Sequence, residues 1–180
     1  GDVRREEVEL LAFLFLLSAL GFAFVVSRFY ALMVALTVVS ALAYNYEPIR
    51  LKKRFLLNNS VLAFSRGFIP LVASWSVFSP ITSATIYYAI GLFIWVFFWQ
   101  TTKDIPDVKG DAKFNIRTVP VVLGEEKTIK FIALGTLLFV FYHVFEPALT
   151  LLGLWGLLGI RKMKEETFTE NTFGWVVFYT

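Results

Sequence analysis

The sequence TKDIPDVKGDAKFNIRTVPVVLG, residues 102–124, is the longest polar interval in a chain that is otherwise strongly apolar. Three carboxylates fall in this interval, at Asp104, Asp107 and Asp111. The spacing i, i+3, i+7 predicts that they share one face of a helix, where like charges repel each other unless a cation lies among them. Mg²⁺ prefers carboxylate oxygens and shares its remaining positions with phosphate. The interval therefore predicts a magnesium site, against the alternative of a solvated loop whose acids pair with its own lysines.

The composition around this interval predicts a membrane protein. Of the 180 residues 57% are hydrophobic, the mean hydropathy is +0.67, and 17% are charged, whereas a soluble domain carries about 25% charged residues. Apolar runs close to the ~20 residues that cross a bilayer recur along the chain. We therefore expect an all-α, multi-span helix bundle that forms a single domain over residues 1–180. The absence of cysteine excludes disulfides, and a net charge of +3 with mixed signs gives no indication of nucleic acid binding.

Seven membrane spans are predicted from the apolar runs. They cover approximately residues 10–26, 29–44, 60–78, 85–100, 128–145 and 148–160, and a seventh begins at Thr172 and looks cut short at Thr180. Pro70 predicts a kink in the third span, because proline interrupts the helical hydrogen bonds.

The charges support this assignment of spans. Alternating spans place residues 1–9, 45–58, 101–130 and 161–170 on one side of the membrane, and these segments hold 28 of the 31 charged residues. One wrong span would scramble the pattern. Lysine and arginine are retained on the cytoplasmic side, so we expect a multi-pass protein of the cell membrane with its charged loops at the cytoplasmic face.

A basic loop on the same side, YEPIRLKKR at residues 46–54, complements the acids. Arginine binds phosphate in a bidentate manner, and lysine binds it as a point charge. Acids on one loop and cations on another together describe a site for a metal-bound diphosphate. The cations interleaved with the acids could hold the same anion; the candidates on the two loops are Tyr46, Arg50, Lys52, Lys53, Lys103 and Arg117. The alternative is that the basic loop has no role in binding and carries lysine and arginine only because these residues are retained on the cytoplasmic side of membrane proteins.

Arg66 lies about two turns inside the third span, where an ionised side chain costs at least ~2.5 kcal/mol unless it faces a polar interior. It could reach a polar cavity and contact substrate there. The alternatives of snorkelling to the interface or pairing with a neighbouring helix remain open. His143 stands alone near the opposite face, and we interpret it as structural.

The two loops together resemble those of the UbiA-type intramembrane prenyltransferases. DIPDVKGD at residues 104–111, followed by NIRTVPVVLG at 115–124, is similar to the second aspartate-rich motif of that family, and YEPIRLKKR is similar to its Tyr-x-x-x-Lys/Arg loop. The resemblance implies a nine-helix bundle that joins a polyprenyl diphosphate to an acceptor through an allylic cation. It also implies Mg²⁺ held by Asp107 and Asp111 with support from Asp104, and diphosphate contacts from Tyr46 and Arg50, with Lys52 and Lys53 as helpers.

One motif of that family is absent. The first aspartate-rich motif, Asn-Asp-x-x-Asp-x-x-x-Asp, does not occur, so the seven spans would correspond to helices three to nine. We therefore expect the chain to be either part of a longer protein or a truncation, and a truncation would lack half of the metal site and be inactive. Asn115 also stands where many members have glycine.

The form of the second motif is most similar to archaeal enzymes that transfer a geranylgeranyl group to a lipid phosphate in ether-lipid synthesis. Geranylgeranyl diphosphate is therefore the expected donor, and the acceptor is a lipid or an aromatic compound. Prenylation of a quinone, haem or chlorophyll precursor is the alternative. A membrane transporter with an acidic ion site is the alternative from a different class. It is less favoured because the acids cluster at one face and not at mid-bilayer.

Overall fold

The computed structural model describes residues 4–162, and within that range it is helical with no strand. The all-α prediction is confirmed. Eight α-helices follow one another: α1 Arg5–Val26, α2 Arg28–Asn45, α3 Leu57–Phe78, α4 Ser83–Trp99, α5 Val108–Lys113, α6 Val119–Leu123, α7 Glu125–Tyr142 and α8 Pro147–Lys162. Two 3₁₀ turns, Leu51–Lys53 and Gln100–Asp104, lie in the loops after α2 and α4.

Four of these helices are long and apolar enough to cross a membrane: α1, α2, α3 and α4 with its 3₁₀ extension. The fifth predicted span is α7, whose first turns carry Glu125, Glu126, Lys127 and Lys130, so its apolar part is shorter. The sixth is the apolar part of α8, Pro147–Ile160. The seventh predicted span, from Thr172, lies outside the described residues.

The tight connections between spans follow from residues that cap helices. Ser27 separates α1 from α2, and its hydroxyl accepts a hydrogen bond from the Tyr30 amide at 3.0 Å. Thr82 forms a reciprocal capping box with Thr85 at the start of α4. Both residues accept hydrogen bonds from amides that have no partner inside the helix, so the chain reverses without leaving those donors unpaired.

Helix α3 is irregular one turn before the predicted kink. Residues Phe64–Phe68 form a π-helical turn, and regular α-helix resumes at Ile69. Because Pro70 has no N–H, it cannot bond the carbonyl of Arg66 four residues earlier. Single π turns inside α-helices occur frequently at functional sites. Arg66 lies inside this one.

Each long helix packs against the long helices that precede and follow it in the chain. Contacts join α1 to α2, α2 to α3, α3 to α4, α4 to α7 and α7 to α8. The main buried cluster lies between α4 and α7, where Trp95, Trp99, Ile132 and Phe139 pack together. The Trp99 indole N–H donates to the Thr136 hydroxyl at 2.9 Å, so this large aromatic side chain is buried with its polar atom satisfied.

Gly135 sets the approach of α7 to α4, because a Cβ atom at this position would overlap the Phe98 ring. We expect Gly135→Ala to destabilise the fold by roughly 1–3 kcal/mol, the usual cost of overpacking. The measurement is the thermal unfolding midpoint of the purified protein in detergent. Gly21→Ala is the matched control, since a Cβ there meets no atom within 4 Å. Equal midpoints for both variants would contradict this account of the packing.

Candidate active site

The basic loop between α2 and α3 holds its cations in a fixed arrangement. Glu47 accepts hydrogen bonds from Arg50 Nη1 at 2.9 Å and Lys53 Nζ at 3.2 Å. The hydrogen bond from Arg50, followed by that from Lys53, lowers the pKa of the Glu47 carboxyl, so this group stays ionised at neutral pH. Lys52 Nζ lies 3.5 Å from Asn45 Oδ1. The backbone at Arg50 has φ of 32°, in the left-handed region, which is a strained conformation for arginine.

The three aspartates do not share one helix face, and that prediction was wrong. Asp104 closes the 3₁₀ turn, Asp107 precedes α5, and Asp111 lies within α5. Pro106 lies at the break, where its missing N–H cannot continue the helical hydrogen bonds, although Ile105 before it keeps helical backbone with φ of −62° and ψ of −48°. Among residues 4–162, no group of three acidic or histidine side chains is close enough to hold a metal by itself.

The environment of the carboxylates nevertheless suits a hard cation. Asp104 is 3% exposed; its Oδ1 accepts from Lys103 Nζ at 2.6 Å, while its Oδ2 is buried without a partner. Burial raises the pKa of the Asp111 carboxyl, and the charge of Asp107 adds to this effect, although a hydrogen bond from Thr118 opposes it. Mg²⁺ is commonly bound by one or two carboxylates together with substrate phosphates. The carboxylate oxygens of these aspartates therefore fit Mg²⁺, provided that the phosphate oxygens of a substrate supply its remaining ligands.

The acidic and basic loops meet. The Arg117 amide donates to the Lys53 carbonyl at 3.3 Å, which joins the chain after α5 to the chain before α3. Asn115 turns the backbone toward this contact with φ of 54°. Asparagine and glycine are the residues that adopt this left-handed conformation most readily, which accounts for asparagine at a position where glycine is common. The side chain of Arg117 is exposed beside the contact.

Tyr44 was missed by the sequence analysis. It lies in the last turn of α2, is half-buried, and lines a polar cavity together with Arg66. Tyr46, the predicted tyrosine, is 67% exposed. A polar stripe at Thr37, Ser40 and Tyr44, spaced i, i+3, i+7, was the available signal, because residues so spaced line one helix face.

This polar stripe faces a cavity of ≈ 390 Å³ between α2 and α3, lined also by Asn45, Ser65 and Arg66. Arg66 also lines a second cavity, of ≈ 370 Å³, whose other lining residues are mainly apolar. The arginine therefore lies where a polar space near the charged loops adjoins an apolar space deeper in the bundle. Arg66 thus lines a polar cavity, and its contact with substrate there stays a prediction.

The apolar helices, four of them long enough to cross a membrane, place the chain in the class of membrane-embedded helix bundles. The chain matches the UbiA prenyltransferase family over residues 1–162. The protein belongs to this family, whose members transfer prenyl groups.

Several curated proteins are similar to this chain. The chain is 29% identical to the bacteriochlorophyll synthase 34 kDa chain of Chloroflexus aurantiacus over 69% of its length and 40% of the relative. It is 32% identical to a probable homogentisate phytyltransferase 2 of Oryza sativa over 77% of its length and 38% of the relative. A homogentisate phytyltransferase of Synechocystis is 28% identical over 67% of the chain and 40% of the relative.

The chain thus spans about two fifths of the length of these relatives. No solved structure matches it significantly.

The different environments of Tyr44 and Tyr46 allow a test of which tyrosine contacts the diphosphate. We expect Tyr44→Phe to weaken binding of inorganic diphosphate in the presence of Mg²⁺ by about tenfold or more, since a hydrogen bond to a charged group contributes ~1.5–3 kcal/mol. Isothermal titration calorimetry measures the dissociation constant. Tyr46→Phe is the control and should bind as the unmodified protein does. If only Tyr46→Phe weakened diphosphate binding, the contact would belong to the exposed Tyr46 and not to Tyr44.

Proposed function

We propose that the protein transfers a prenyl group from its diphosphate to a ring acceptor within the membrane, with Mg²⁺ as cofactor. The observation that carries the proposal is the junction of the two loops, where the Arg117 amide donates to the Lys53 carbonyl. Cations and carboxylates at one membrane edge suit a metal-bound diphosphate. The apolar cavity below Arg66 suits the hydrocarbon attached to it.

The relatives favour the ring-acceptor alternative over the expected archaeal ether-lipid role. Their names specify bacteriochlorophyll, homogentisate and 2-acylphloroglucinol, and none names a glycerol lipid. An aromatic or tetrapyrrole ring is therefore the acceptor class that we propose. The donor is a geranylgeranyl or phytyl diphosphate.

The basic loop would bind the diphosphate. Arg50 and Lys53 are held by Glu47, and the anion would compete with this carboxylate for the two cations. Lys52, Lys103 and Arg117 would add positive charge, and Tyr44, which lines the polar cavity with Arg66, would offer its hydroxyl. Asp107 and Asp111, supported by Asp104, would hold Mg²⁺, which when bound stabilises the charge that develops on the leaving diphosphate.

Transfer then breaks the bond between C1 of the prenyl group and the diphosphate oxygen. The diphosphate leaves with the electron pair, and the acceptor attacks C1 in one of two ways. A ring carbon of an aromatic acceptor attacks and the ring then loses a proton, or a carboxylate oxygen of a tetrapyrrole acceptor attacks and forms an ester. The apolar walls beyond Arg66 exclude water, which would otherwise capture the allylic cation. Aromatic faces such as that of Trp95 stabilise positive charge through their π electrons.

The site would lie at the cytoplasmic edge of the membrane, because the loops that form it carry most of the lysine and arginine. The helices themselves are embedded in the bilayer. A soluble ring compound and the head of a membrane-anchored donor can both reach such a site.

Incubation of the protein in lipid nanodiscs with radiolabelled geranylgeranyl or phytyl diphosphate, Mg²⁺ and one acceptor at a time tests the function. Homogentisate and a chlorophyllide represent the ring acceptors, and geranylgeranylglyceryl phosphate represents the ether-lipid alternative. We expect a prenylated ring product, loss of activity with EDTA and recovery with Mg²⁺. Product from the lipid phosphate alone would favour the alternative, and no product or diphosphate release from any acceptor would refute prenyl transfer.

Asp107→Ala and Asp111→Ala should each lower turnover by roughly 10²–10³-fold, the usual loss when a group that stabilises developing charge is removed. Both side chains lie at the polar edge, so the unfolding midpoint should not change. Glu125→Ala is the matched control, since Glu125 is an exposed acid at the same edge. Wild-type turnover in either aspartate variant would remove that residue from the proposed site.

A further inference from the structure

The apolar cavity of ≈ 370 Å³ lies among α3, α4, α7 and α8. Its walls are Leu71 of α3, Leu92 and Trp95 of α4, and Leu149 and Leu152 of α8. Only a few polar side chains reach it. A space of this composition binds hydrocarbon through apolar contact.

The two ends of the cavity lie at different depths. Arg66 is nine residues into α3, about 13 Å from the start of that helix at the charged loops. His143 directly follows α7, whose 18 residues span about 27 Å from the same edge. The cavity therefore extends from the middle of the bundle to its far end, with Arg66 near the entrance and His143 at the bottom.

His143 is held rigidly in this position. It is 1% exposed, and its ring lies directly against Gly91, where any Cβ would overlap the imidazole. The rings of Phe139 and Tyr142 contact its edge and face at centroid distances of 4.7 and 5.0 Å. Its carbonyl accepts from the Thr150 hydroxyl at 2.6 Å.

Tyr88 completes the bottom of the cavity. Its ring stacks on His143 with centroids 6.2 Å apart, and its hydroxyl donates to Glu146 Oε1 at 3.1 Å. The imidazole is thus fixed from several sides by side chains with partners of their own. It forms the floor of the cavity.

We infer that His143, seated on Gly91, sets the length of prenyl chain that the enzyme accepts. The inference rests on the proposed function and adds a specificity-determining residue to it. The diphosphate head occupies the charged loops, the chain passes Arg66 into the apolar cavity, and its last carbons meet the imidazole. Removal of this ring leaves empty space against Gly91, because glycine has no side chain to fill it.

The test compares His143→Ala with the unmodified protein on a series of prenyl diphosphates of increasing chain length, scored as relative kcat/KM. One methylene in an apolar pocket changes discrimination by roughly 10- to 200-fold, so we expect a shift of at least about tenfold toward a longer donor. His143→Phe keeps a ring without its nitrogens and should accept no longer chain than the unmodified protein. Phe141→Ala is the matched control, because Phe141 is 72% exposed and lies two residues away; its profile should not change.

A folded His143→Ala variant with the unmodified chain-length profile would overturn the inference while leaving prenyl transfer intact. His143→Phe behaving as His143→Ala would also overturn it, since the ring would then act through its nitrogens and not through its volume. Leu149→Phe narrows the same cavity from α8 and should shift preference toward shorter donors. If His143→Ala does not fold, an unchanged profile for Leu149→Phe is the contradicting result. Absence of transfer by the unmodified protein from every diphosphate would remove both the function and this inference.

Discussion

The cost of placing an ionised side chain in hydrocarbon is the constraint on which this structure depends. Helices satisfy their own backbone groups in lipid, but the 31 charged side chains of this sequence need water, a partner or a polar cavity. The predicted spans place 28 of them at one side of the membrane. Because these loops connect neighbouring helices of one bundle, confinement to one edge also brings them into contact. The hydrogen bond from Arg117 to Lys53 is the visible result, and it joins the basic and acidic segments that together suit a diphosphate.

This constraint explains why the helical architecture could be predicted from the sequence. Apolar runs and the sidedness of charge are properties of long segments, and errors of a few residues at each end do not change them. The third span was predicted from residue 60 and begins at Leu57, yet its position in the order of helices is the same. The approximate pairing of the two loops follows from the same topology. Family membership agrees with it over residues 1–162.

The detailed arrangement of the site could not be predicted in this way, because it depends on single backbone features. The aspartate spacing fits one helix, but Pro106 ends the preceding turn and separates Asp104 from α5. Tyr46 lies within the family-like motif and is exposed, whereas Tyr44, two residues earlier, is half-buried and lines the polar cavity with Arg66. A two-residue difference at the end of a helix changes the direction of a side chain by about 200°. Motif spacing alone does not fix that direction.

Glu47 shows how the site can hold its cations before any anion arrives. Arg50 and Lys53 on a short loop would repel each other, and Arg50 adopts a strained left-handed backbone. One carboxylate that bonds both side chains offsets this repulsion and fixes their direction. Since Glu47 is itself exposed, water screens its attraction for the cations, and under the proposed function a diphosphate with several charged oxygens would compete with it favourably. The carboxylate therefore organises the basic loop without closing it to an anion.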